Sequence, residues 1–480
     1  MDYSIVRLTS ISLENFKNVL YGKVDFPIRE NTGSVLGIYG QNGSGKTALI
    51  RAIGVLKCLL SELPFDKRLN ESIHVDAQSA RLVFEFQWIK RNDQGEQSER
   101  FSYEVSFVRK KKKVLSEEDS VLLEREIAEI QGEKLNVWME DSSAKVRKTC
   151  LIDTNSTDLP FGSRAKFQKL IGSDKTIGID LRVNRELTRE RSLSFIFSSA
   201  LSQTLNTRLG KGKGVSDRLV KKATEVINRL RWYGSFELFV LGAEQFGRVN
   251  LGAMMLQIKT DPAAENPGAC GSIPLSLNAP CKIPTELLGV VQSTVKKINL
   301  VLTELVPGLT IACTEVSEEI GEQGRHFSNV ELTSLKNGRP IPLRYESDGI
   351  KKIISVLNLL ICVYTQRSIT VAIDELDAGV FEYLLGELMR ILSEKGFGQL
   401  IFTSHNLRAL ETMRKTCIVF TTVNPKDRYF QMKNVKETNN LRDMYYRKIV
   451  LDPDEAQRLY SPTNNERIAL AMREAGLLHE

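Results

Sequence analysis

The sequence lacks several features that mark particular classes of protein. Its 480 residues contain no run of 18 apolar residues, so no transmembrane helix is expected. Its seven cysteines lie far apart without a C-x-x-C pair, which argues against a disulfide framework or a zinc hook and favours reduced thiols in the cytoplasm. With only four histidines, the chain also offers no Cys/His cluster for a metal site.

Patterns along the chain are missing as well. The opening stretch, "MDYSIVRLTSISLENF", begins acidic and alternates, so we expect no signal peptide. No repeat of fixed period and no sustained heptads occur, which argues against a solenoid and against long coiled-coil arms. The net charge of +7 permits a polyanionic partner but does not require one. A soluble globular protein of two or three lobes is expected from this length and composition.

A glycine-rich stretch is the first positive signal. "GIYGQNGSGKTALI" runs from Gly37 to Ile50, after a short apolar strand and before a run with helical spacing. It fits the pattern G-x-x-x-x-G-K-[ST], in which backbone N–H groups at a helix N-terminus surround phosphates. Lys46 can reach the β- and γ-phosphates, and the Thr47 hydroxyl can hold Mg²⁺. The expected nucleotide-binding residues of this loop are Gly40, Asn42, Gly43, Ser44, Gly45, Lys46 and Thr47.

A second signal follows some 320 residues later. In "SITVAIDELDAG", a buried strand ends in Asp374 and Glu375. Asp374 is expected to bind Mg²⁺ through water, and Glu375 to polarise the attacking water as a catalytic base. A next strand, "GQLIFTSHN", ends at His405, which can touch the γ-phosphate. A solvated turn and a structural histidine are the simpler alternatives, but the shared strand-end position favours one site.

A third signal is a possible second anion site. Ser347, Asp348 and Gly349 precede a long apolar helix, and a helix N-terminus with Ser and Gly favours an anion. One γ-phosphate does not need two helix ends from one chain. The motif therefore suggests that the nucleotide of another subunit lies against it, although an ordinary Ser N-cap fits equally well.

The rest of the chain predicts four parts. Residues 1–108 are expected to form strands around the phosphate loop, including a hairpin over 80–108. Residues 109–284 form an insert with a charged helix over 116–135 and a loop or linker over 261–284. Residues 285–425 begin with a helix over 285–305 and carry the second half of the site, and residues 426–480 form a tail.

The order and spacing of these motifs resemble the head of ABC-type ATPases. More narrowly, they are similar to the SMC/RecF/OLD branch, whose heads begin with a strand and "NFK", as Asn15-Phe16-Lys17 do here. The resemblance covers about 1–108 and 285–425, and it implies an α/β P-loop ATPase head with a mainly helical insert. The signature reads Glu-Ser-Asp-Gly-Ile where transporters have Leu-Ser-Gly-Gly-Gln.

The resemblance also assigns roles to residues. Ser347 and Gly349 stand at the signature positions, and Asp377 stands in the D-loop, so all three are expected to contact nucleotide. His405 stands at the switch histidine, and Gln87 is the candidate for the Q-loop.

The tail "NNLRDMYYRKIV" resembles small bacterial ATP-binding proteins of this branch that are linked to anti-phage defence, such as the ATPase subunit of the PARIS systems. This implies a cytoplasmic ATPase, away from any membrane, that uses ATP and Mg²⁺. It also implies a homodimer or higher homo-oligomer formed through ATP. Such a protein regulates a separate effector, expected to be a nuclease.

Two other functions remain open from the sequence. A RecF-like DNA-repair ATPase would use basic residues, namely Arg109 to Lys113, Lys211, Lys213, Arg218, Lys221, Lys222, Arg229 and Arg231. A nucleotide-clamped scaffold would bind ATP with little turnover, but the intact Asp374-Glu375 pair favours hydrolysis. Asp452 and Asp454 form an Asp-x-Asp that resembles part of a TOPRIM nuclease; Pro453 between them favours a turn.

Overall fold

The computed structural model describes most of the chain. The described residues are 3–28, 33–64, 71–92, 95–115, 122–140, 146–155, 159–211, 215–242, 253–259, 270–321, 324–336, 338–432, 440–451, 458–460 and 464–477.

A six-stranded, largely parallel sheet forms the centre of the protein. In spatial order its strands are β18 (Tyr429–Phe430), β17 (Ile418–Thr421), β3 (Ser34–Tyr39), β16 (Gln399–Thr403), β15 (Thr370–Ile373) and β8 (Leu238–Leu241). Only β18 runs antiparallel to its neighbour. Every residue of the five parallel strands is buried, as expected for a parallel sheet that is covered on both faces.

Helices cover the two faces of this sheet. On one face, Leu36 and Ile38 share a core with α1 (Lys46–Leu60). On the other, Val35 and Tyr39 share a core with four further helices. These are α7 (Asp348–Thr365), α8 (Glu382–Lys395), α9 (Arg408–Thr412) and α10 (Leu441–Leu451). The predicted α/β fold, a P-loop head with sheets flanked by helices, is confirmed.

A second, antiparallel sheet stands beside α1. Its strands, in spatial order, are β2 (Val19–Asp25), β1 (Tyr3–Phe16), β4 (Ser79–Asn92), β5 (Gly95–Leu115), β6 (Leu122–Glu140) and β7 (Val146–Asp153). The predicted hairpin over 80–108 is confirmed by the pairing of β4 with β5 from Asn92↔Gly95 to Ser79↔Val108. Because β5 continues through residues 108–109, the N-terminal part and the start of the insert share one sheet.

The charged helix predicted over 116–135 is wrong where the structure describes that range. Residues 122–135 belong to β6, which pairs with β5 from Leu115↔Leu122 to Phe101↔Val137, and residues 116–121 lie outside the described part. The apolar residues of this stretch fit a helical spacing as well as an alternating one. Pairing with the long strand β5 overrides local helix propensity, and charge pairs across the two strands, such as Lys110 with Glu129, support it.

The expectation of a mainly helical insert holds for residues 164–237. They form α2 (Arg164–Leu170), α3 (Lys175–Glu190), α4 (Ser199–Lys211), α5 (Val215–Trp232) and a π-helical turn, Tyr233–Glu237. The buried face of α5 consists of Val220, Ala223, Val226, Ile227 and Leu230. Strands occupy much of the rest of the insert. They extend the antiparallel sheet, add one strand to the central sheet, and form part of a further layer over residues 253–284.

The insert returns to the central sheet through β8. The preceding π-helical turn packs on the end of α1, where a Cβ added to Gly234 would overlap Leu60. The ammonium of Lys57 donates to the carbonyls of Gly234 (3.0 Å) and Leu238 (2.7 Å). The insert is therefore fixed to the phosphate-loop helix and to the edge of the sheet.

A third layer precedes α7. It contains the hairpin of β9 (Ala253–Lys259) and β10 (Cys270–Ser276), the helix α6 (Leu288–Leu305), and a sheet of β11 (Cys281–Pro284), β12 (Leu309–Ile320), β13 (His326–Lys336) and β14 (Arg339–Pro342). The predicted helix over 285–305 is confirmed. The predicted loop over 261–284 is wrong at β10 and β11, because proline and glycine there sit in strands, while residues 261–269 lie outside the described part.

The tail contributes β18 to the central sheet and continues with α10, and α11 (Asn465–Leu477) ends the described chain. Among the described residues, no helix is both long enough and apolar enough to cross a membrane.

One buried carboxylate joins the antiparallel sheet to the helical part of the insert. Glu133 on β6 accepts hydrogen bonds from the Tyr103 hydroxyl (2.6 Å), the Ser194 hydroxyl and the Phe195 N–H (2.8 Å). Burial raises the pKa of Glu133. We expect Glu133→Ala to lower the free energy of unfolding by about 2–4 kcal/mol in urea titration, because three buried donors lose their acceptor.

Glu126→Ala is the matched control, because Glu126 lies on the same strand but is half-exposed and pairs with Arg109 at the surface. It should cost no more than about 1 kcal/mol. The raised pKa means that stability from protonated Glu133 is lost as pH rises through the folded-state pKa, and Glu133→Gln should flatten that pH dependence. Equal losses in the two alanine variants would contradict the role given to Glu133.

Candidate nucleotide site

The loop between β3 and α1 has the backbone that its glycines predict. Gly40, Gly43 and Gly45 have φ angles of 156°, 75° and 96°. A Cβ on Gly40 would overlap the Thr421 hydroxyl, whereas Gly43 is open on that side. Only glycine combines these φ values with such close approach, so the N–H groups of the loop are free to surround an anion.

Side chains from the far edge of the sheet hold the loop in place. Buried Ser44 donates to the Gln41 carbonyl (2.6 Å) and bonds to the hydroxyl of Thr421. The Tyr429 hydroxyl donates to the Gly45 carbonyl (2.7 Å). Asn42 and Gly43 are exposed at the rim of the loop. The loop is therefore preformed, and the two hydrogen bonds of Ser44 help to hold its conformation.

Lys46 already spans the loop that it is expected to serve. Its side chain is buried, and Nζ donates to the carbonyls of Gly40 (2.8 Å) and Gln41 (3.0 Å). Burial lowers the pKa of Lys46, while the charges of Asp374, Glu375 and Asp377 oppose that shift. Arriving phosphates can replace the two carbonyls as acceptors and form charge-assisted hydrogen bonds with the ammonium.

The structure brings Thr47 and Asp374 together. The Thr47 hydroxyl lies 3.4 Å from Oδ1 of Asp374 and is exposed on the open side. Neighbouring oxygens of an octahedral Mg²⁺ are about 3 Å apart, since the metal–oxygen distance is about 2.0–2.1 Å. A hydroxyl and a carboxylate at this separation therefore fit the donor set that Mg²⁺ takes beside phosphates.

Thr403 orients the carboxylate pair, a role that the sequence analysis missed. At the end of β16 its hydroxyl donates to Oδ1 of Asp374 (2.5 Å) and accepts the N–H of Glu375 (2.8 Å). Glu375 is exposed and has φ = 48°, a left-handed backbone that is costly for a residue other than glycine. The bond from its N–H helps to keep Glu375 in this conformation at the sheet edge. Thr403 lies directly before Ser404-His405 in the sequence, and this position is the sequence signal that could have predicted its role.

Asp377 connects the turn after β15 to the turn that carries His405. Oδ2 of Asp377 accepts the N–H groups of His405 and Asn406, both at 2.9 Å. The His405 side chain is exposed. The structure thus places the predicted D-loop aspartate as the anchor of the histidine turn, and its expected contact with nucleotide stays a prediction.

The predicted signature lies at the start of α7. Ser347 is its N-cap, and its hydroxyl accepts the Ile350 N–H at 3.4 Å, so the ordinary capping role is present. Gly349 packs against the backbone of Gly379, where a Cβ would overlap a carbonyl oxygen. Ser347 itself is exposed, as its expected role on a second chain's nucleotide requires; that role stays a prediction.

A cleft next to the phosphate loop was not predicted. It has a volume of about 430 Å³ and is lined by Lys17, Asn18, Glu71, Ile73, His74, Val75 and Arg109. The Asn18 amide donates to the carbonyl of Gly43, which joins the cleft to the loop. Lys17, the last residue of the "NFK" motif, lines this cleft, so that motif was the available sequence signal. In the structure Lys17 has a left-handed backbone (φ = 54°).

Gln87, the sequence candidate for the Q-loop, does not lie at the site. Its amide donates to the Ser98 hydroxyl (2.6 Å) on the antiparallel sheet. The strand that flanks the carboxylate strand is instead β8, whose Leu241 carbonyl accepts the Asp374 N–H at 2.8 Å. After Gly242, the sequence Ala243-Glu244-Gln245 lies outside the described residues.

Many of the basic residues considered for DNA are paired with carboxylates. The pairs among the described residues are Arg109 with Glu126, Lys110 with Glu129, Lys222 with Glu99, Arg229 with Glu237 and Arg231 with Glu62. Arg109 also donates to the carbonyls of Ile73 and His74 and so forms a wall of the cleft. The side chains of Lys112, Lys113, Lys211 and Lys213, together with Asp452 and Asp454, lie outside the described part.

Solved structures with a similar fold include three Smc heads. One, bound to the C-winged helix domain of ScpA, has a TM-score of 0.40 at 11% identity, covering 89% of this chain and 98% of that chain. An Smc head from Pyrococcus furiosus gives 0.39 at 10% (89% and 96%), and the SMC head from Thermotoga maritima gives 0.35 at 14% (89% and 99%). At these scores the similarities support no conclusion about function. No curated protein matches the chain.

Family models match two long stretches of the sequence. Residues 10–226 match a model described as "AAA domain", and residues 275–411 match one described as "AAA domain, putative AbiEii toxin, Type IV TA system". The first stretch contains the phosphate loop, and the second contains the signature helix, the carboxylate pair and His405. The chain is therefore similar to AAA-domain ATPases over both halves of its nucleotide site, and the geometry of that site is that of a P-loop ATPase.

Proposed function

We propose that this protein is an ABC-type ATPase of the SMC/RecF/OLD branch that closes with a second copy on ATP and regulates a separate effector, a nuclease, in cytoplasmic anti-phage defence. The observation on which this proposal rests is the meeting of Lys46, Thr47, Asp374 and Glu375 at one end of the parallel sheet. This geometry supports the binding and hydrolysis parts of the proposal, while the partner and the biological role rest on resemblance.

The chain's own residues divide the work of binding. The N–H groups of the loop and the ammonium of Lys46 bind the phosphates, and the cleft beside Asn18 has room for the ribose and base. Thr47 and Asp374 would hold Mg²⁺, which neutralises charge that develops on the phosphates.

The residues at the ends of β15 and β16 serve hydrolysis. Glu375 is exposed at the sheet edge and accepts the proton of the attacking water. Thr403 fixes both Asp374 and the backbone of Glu375, so the metal ligand and the base keep a constant relation. Asp377 fixes the His405 turn, from which the imidazole reaches the γ-phosphate.

The surface around Ser347 suits a second copy of the chain. Two large aromatic side chains flank the signature and the D-loop, with Tyr345 72% and Phe381 74% exposed. Exposed aromatics next to an open helix N-terminus are typical of residues that become buried on association. The closed form would place Ser347 and Gly349 of one copy on the phosphates bound to the other.

The defence role draws on two resemblances. The tail resembles bacterial defence ATPases such as the ATPase subunit of the PARIS systems, and the model matched by residues 275–411 carries a toxin–antitoxin description. An ATPase that opens and closes can hold an effector in one state and release it in the other, provided that the two states differ in affinity. The insert, outside the nucleotide site, is the proposed contact surface.

The RecF-like alternative has less support, because the ion pairs of Arg109, Lys110, Lys222, Arg229 and Arg231 neutralise much of the basic surface. The scaffold alternative has less support because Thr403 and the strained Glu375 backbone form a built hydrolysis site.

Lys46→Ala should weaken ATP binding at least tenfold, since it removes charge-assisted contacts worth about 1.5–3 kcal/mol. Isothermal calorimetry on the purified protein measures this. The melting temperature serves as the control, because the loop keeps its bonds from Ser44 and Tyr429. An unchanged affinity would falsify the assignment of Lys46.

Mixing two inactive variants tests the closed dimer. Lys46→Ala removes a chain's own ATP site, and Ser347→Arg blocks its service to the partner's site. A mixed dimer keeps one complete site, so turnover should reappear on mixing, whereas each variant alone stays inactive. If tagged mixed dimers form and no turnover returns, Ser347 does not act on the second chain.

Glu375→Gln should bind ATP and hydrolyse it about a hundredfold more slowly than wild type, because it keeps the shape but loses the base. Phosphate release measures turnover, and retained Mg²⁺·ATP binding is the control, since Asp374 remains. Parental turnover would remove Glu375 from catalysis.

The same variant tests the effector. Because it accumulates the ATP-bound state, a pull-down from the native host should recover a partner protein in an amount that differs at least about tenfold from wild type. The purified protein alone should not cleave DNA or RNA. Recovery of no partner in either state, or nuclease activity lost on Asp452→Ala and Asp454→Ala, would overturn the effector model.

A further inference from the structure

Lys352 is a buried cation that takes no part in the roles given above to Lys46, Thr47, Asp374 and Glu375. It lies on α7, the residue is 5% exposed, and its Nζ is buried without a hydrogen-bond partner among the described residues. Burying an ammonium without a partner is costly, and effective penalties reach several kcal/mol per ion. Packing alone would therefore favour an apolar residue at this position.

The charges that act on Lys352 are those of the hydrolysis site. Burial lowers the pKa of Lys352, and the carboxylates of Glu375, Asp377 and Asp374, in that order, oppose the shift. The same three carboxylates act on Lys46. The acidic turn after β15 thus has two buried ammonium groups near it, one from the phosphate-loop helix and one from the signature helix.

The acidic turn also has an unused oxygen. Oδ2 of Asp377 accepts the N–H groups of His405 and Asn406, whereas Oδ1 is buried and has no hydrogen-bond partner in the part of the chain that the structure describes. A buried carboxylate oxygen and a buried ammonium, both unpartnered and of opposite charge, therefore belong to two elements that adjoin each other. Charges in such surroundings attract far more strongly than in water.

The two elements touch through their glycines. Gly349, in the first turn of α7, packs against Gly379, which ends the acidic turn with φ = 75°. A Cβ on Gly349 would overlap the Gly379 carbonyl, so neither backbone can move toward the other without displacing it. A shift at the start of α7 therefore reaches the turn that carries Asp377 and Glu375.

Building on the proposed ATPase function, we propose that Lys352 is a positioning residue for hydrolysis. From α7 it holds the acidic turn, so that the helix whose start meets the partner's nucleotide also sets the Glu375 carboxylate of its own chain. Through Asp377, the same ammonium orients the His405 turn. Lys352 thereby links occupancy of one nucleotide site to the chemistry of the other.

Lys352→Met tests this role, because methionine has similar length and no charge. Turnover per bound ATP should fall at least about tenfold, while the Kd for ATP stays within about threefold, which is the split expected for a group that acts only on hydrolysis. The melting temperature should stay level or rise, since a buried unpaired charge is removed. Lys352→Arg, which keeps the cation, should recover most of the turnover.

Lys351→Met is the matched control on the adjacent residue. The Lys351 ammonium is 3.2 Å from the exposed Asp348 carboxylate and donates to the Arg344 carbonyl, so it is partnered where Lys352 is not among the described residues. Its loss should leave turnover and ATP affinity unchanged.

The outcomes separate this inference from the proposed function. If wild type neither binds nor hydrolyses ATP, the proposed function fails and the inference falls with it. If wild type hydrolyses ATP and Lys352→Met does so equally well, only the inference is overturned. A Lys352→Met protein that melts well below wild type shows a structural lysine and also overturns it, as does an Arg variant that is no better than Met.

Discussion

The site depends on four neighbouring parallel strands that end at the same level. Pairing places Ile373 of β15 beside Phe402 of β16 on one side and Leu241 of β8 on the other, while Thr403 pairs with Ile38 of β3. Each functional group follows its strand by one to a few residues, so this register alone brings the phosphate loop, the carboxylates and the histidine turn together. The Thr403 hydroxyl then links two of these strand ends, because it donates to Asp374 and accepts the N–H of Glu375 at the end of β15.

The same register brings one strand of the insert next to the site. This strand, β8, is an edge of the central sheet, and its Leu241 carbonyl accepts the N–H of the metal-ligand candidate Asp374. The π-helical turn before β8 is fastened to α1 by Lys57, and the pair of Arg229 and Glu237 fastens it to α5. A partner that shifts α5 would therefore act on the helix that begins at Lys46 and on the strand next to the carboxylates. That is the physical route by which an effector on the insert could be coupled to nucleotide.

The sequence was informative where a motif depends on local chemistry. Gly40, Gly45, Lys46 and Thr47 were predictable because few residues can form a loop with positive φ values and a lysine at a helix start. It was less informative where tertiary pairing decides. The stretch 122–135 fits two periodicities, and only the presence of β5 selects the strand. From the sequence, Gln87 was expected at the end of a strand, but it lies inside β4, which belongs to the other sheet.

Other features could not be read from the sequence because they join distant segments. The roles of Thr403 and of the Gly349–Gly379 contact appear only when two strand ends or two turns meet. The basic residues look like one surface in the sequence, yet Arg109 and Arg229 turn toward carbonyls and carboxylates. Charge runs are weak guides for this reason: their partners lie elsewhere in the chain.

The electrostatics of the site explain why it tolerates buried charge at all. In the proposed function, ATP would bring several negative charges beside Asp374, Glu375 and Asp377, which would repel it at short range. The ammonium of Lys46 offsets this repulsion, and two loop carbonyls accept its hydrogen bonds beforehand. Phosphates can replace these carbonyls without Lys46 first losing bound water. Among the described residues Lys352 Nζ has no such acceptor, so the burial of its charge lowers the stability of the folded chain. In the proposed ATPase this cost is offset because the charge serves hydrolysis. A lysine that is unpartnered among the described residues, beside the turn that carries Glu375, therefore supports the proposed role more strongly than a paired lysine would.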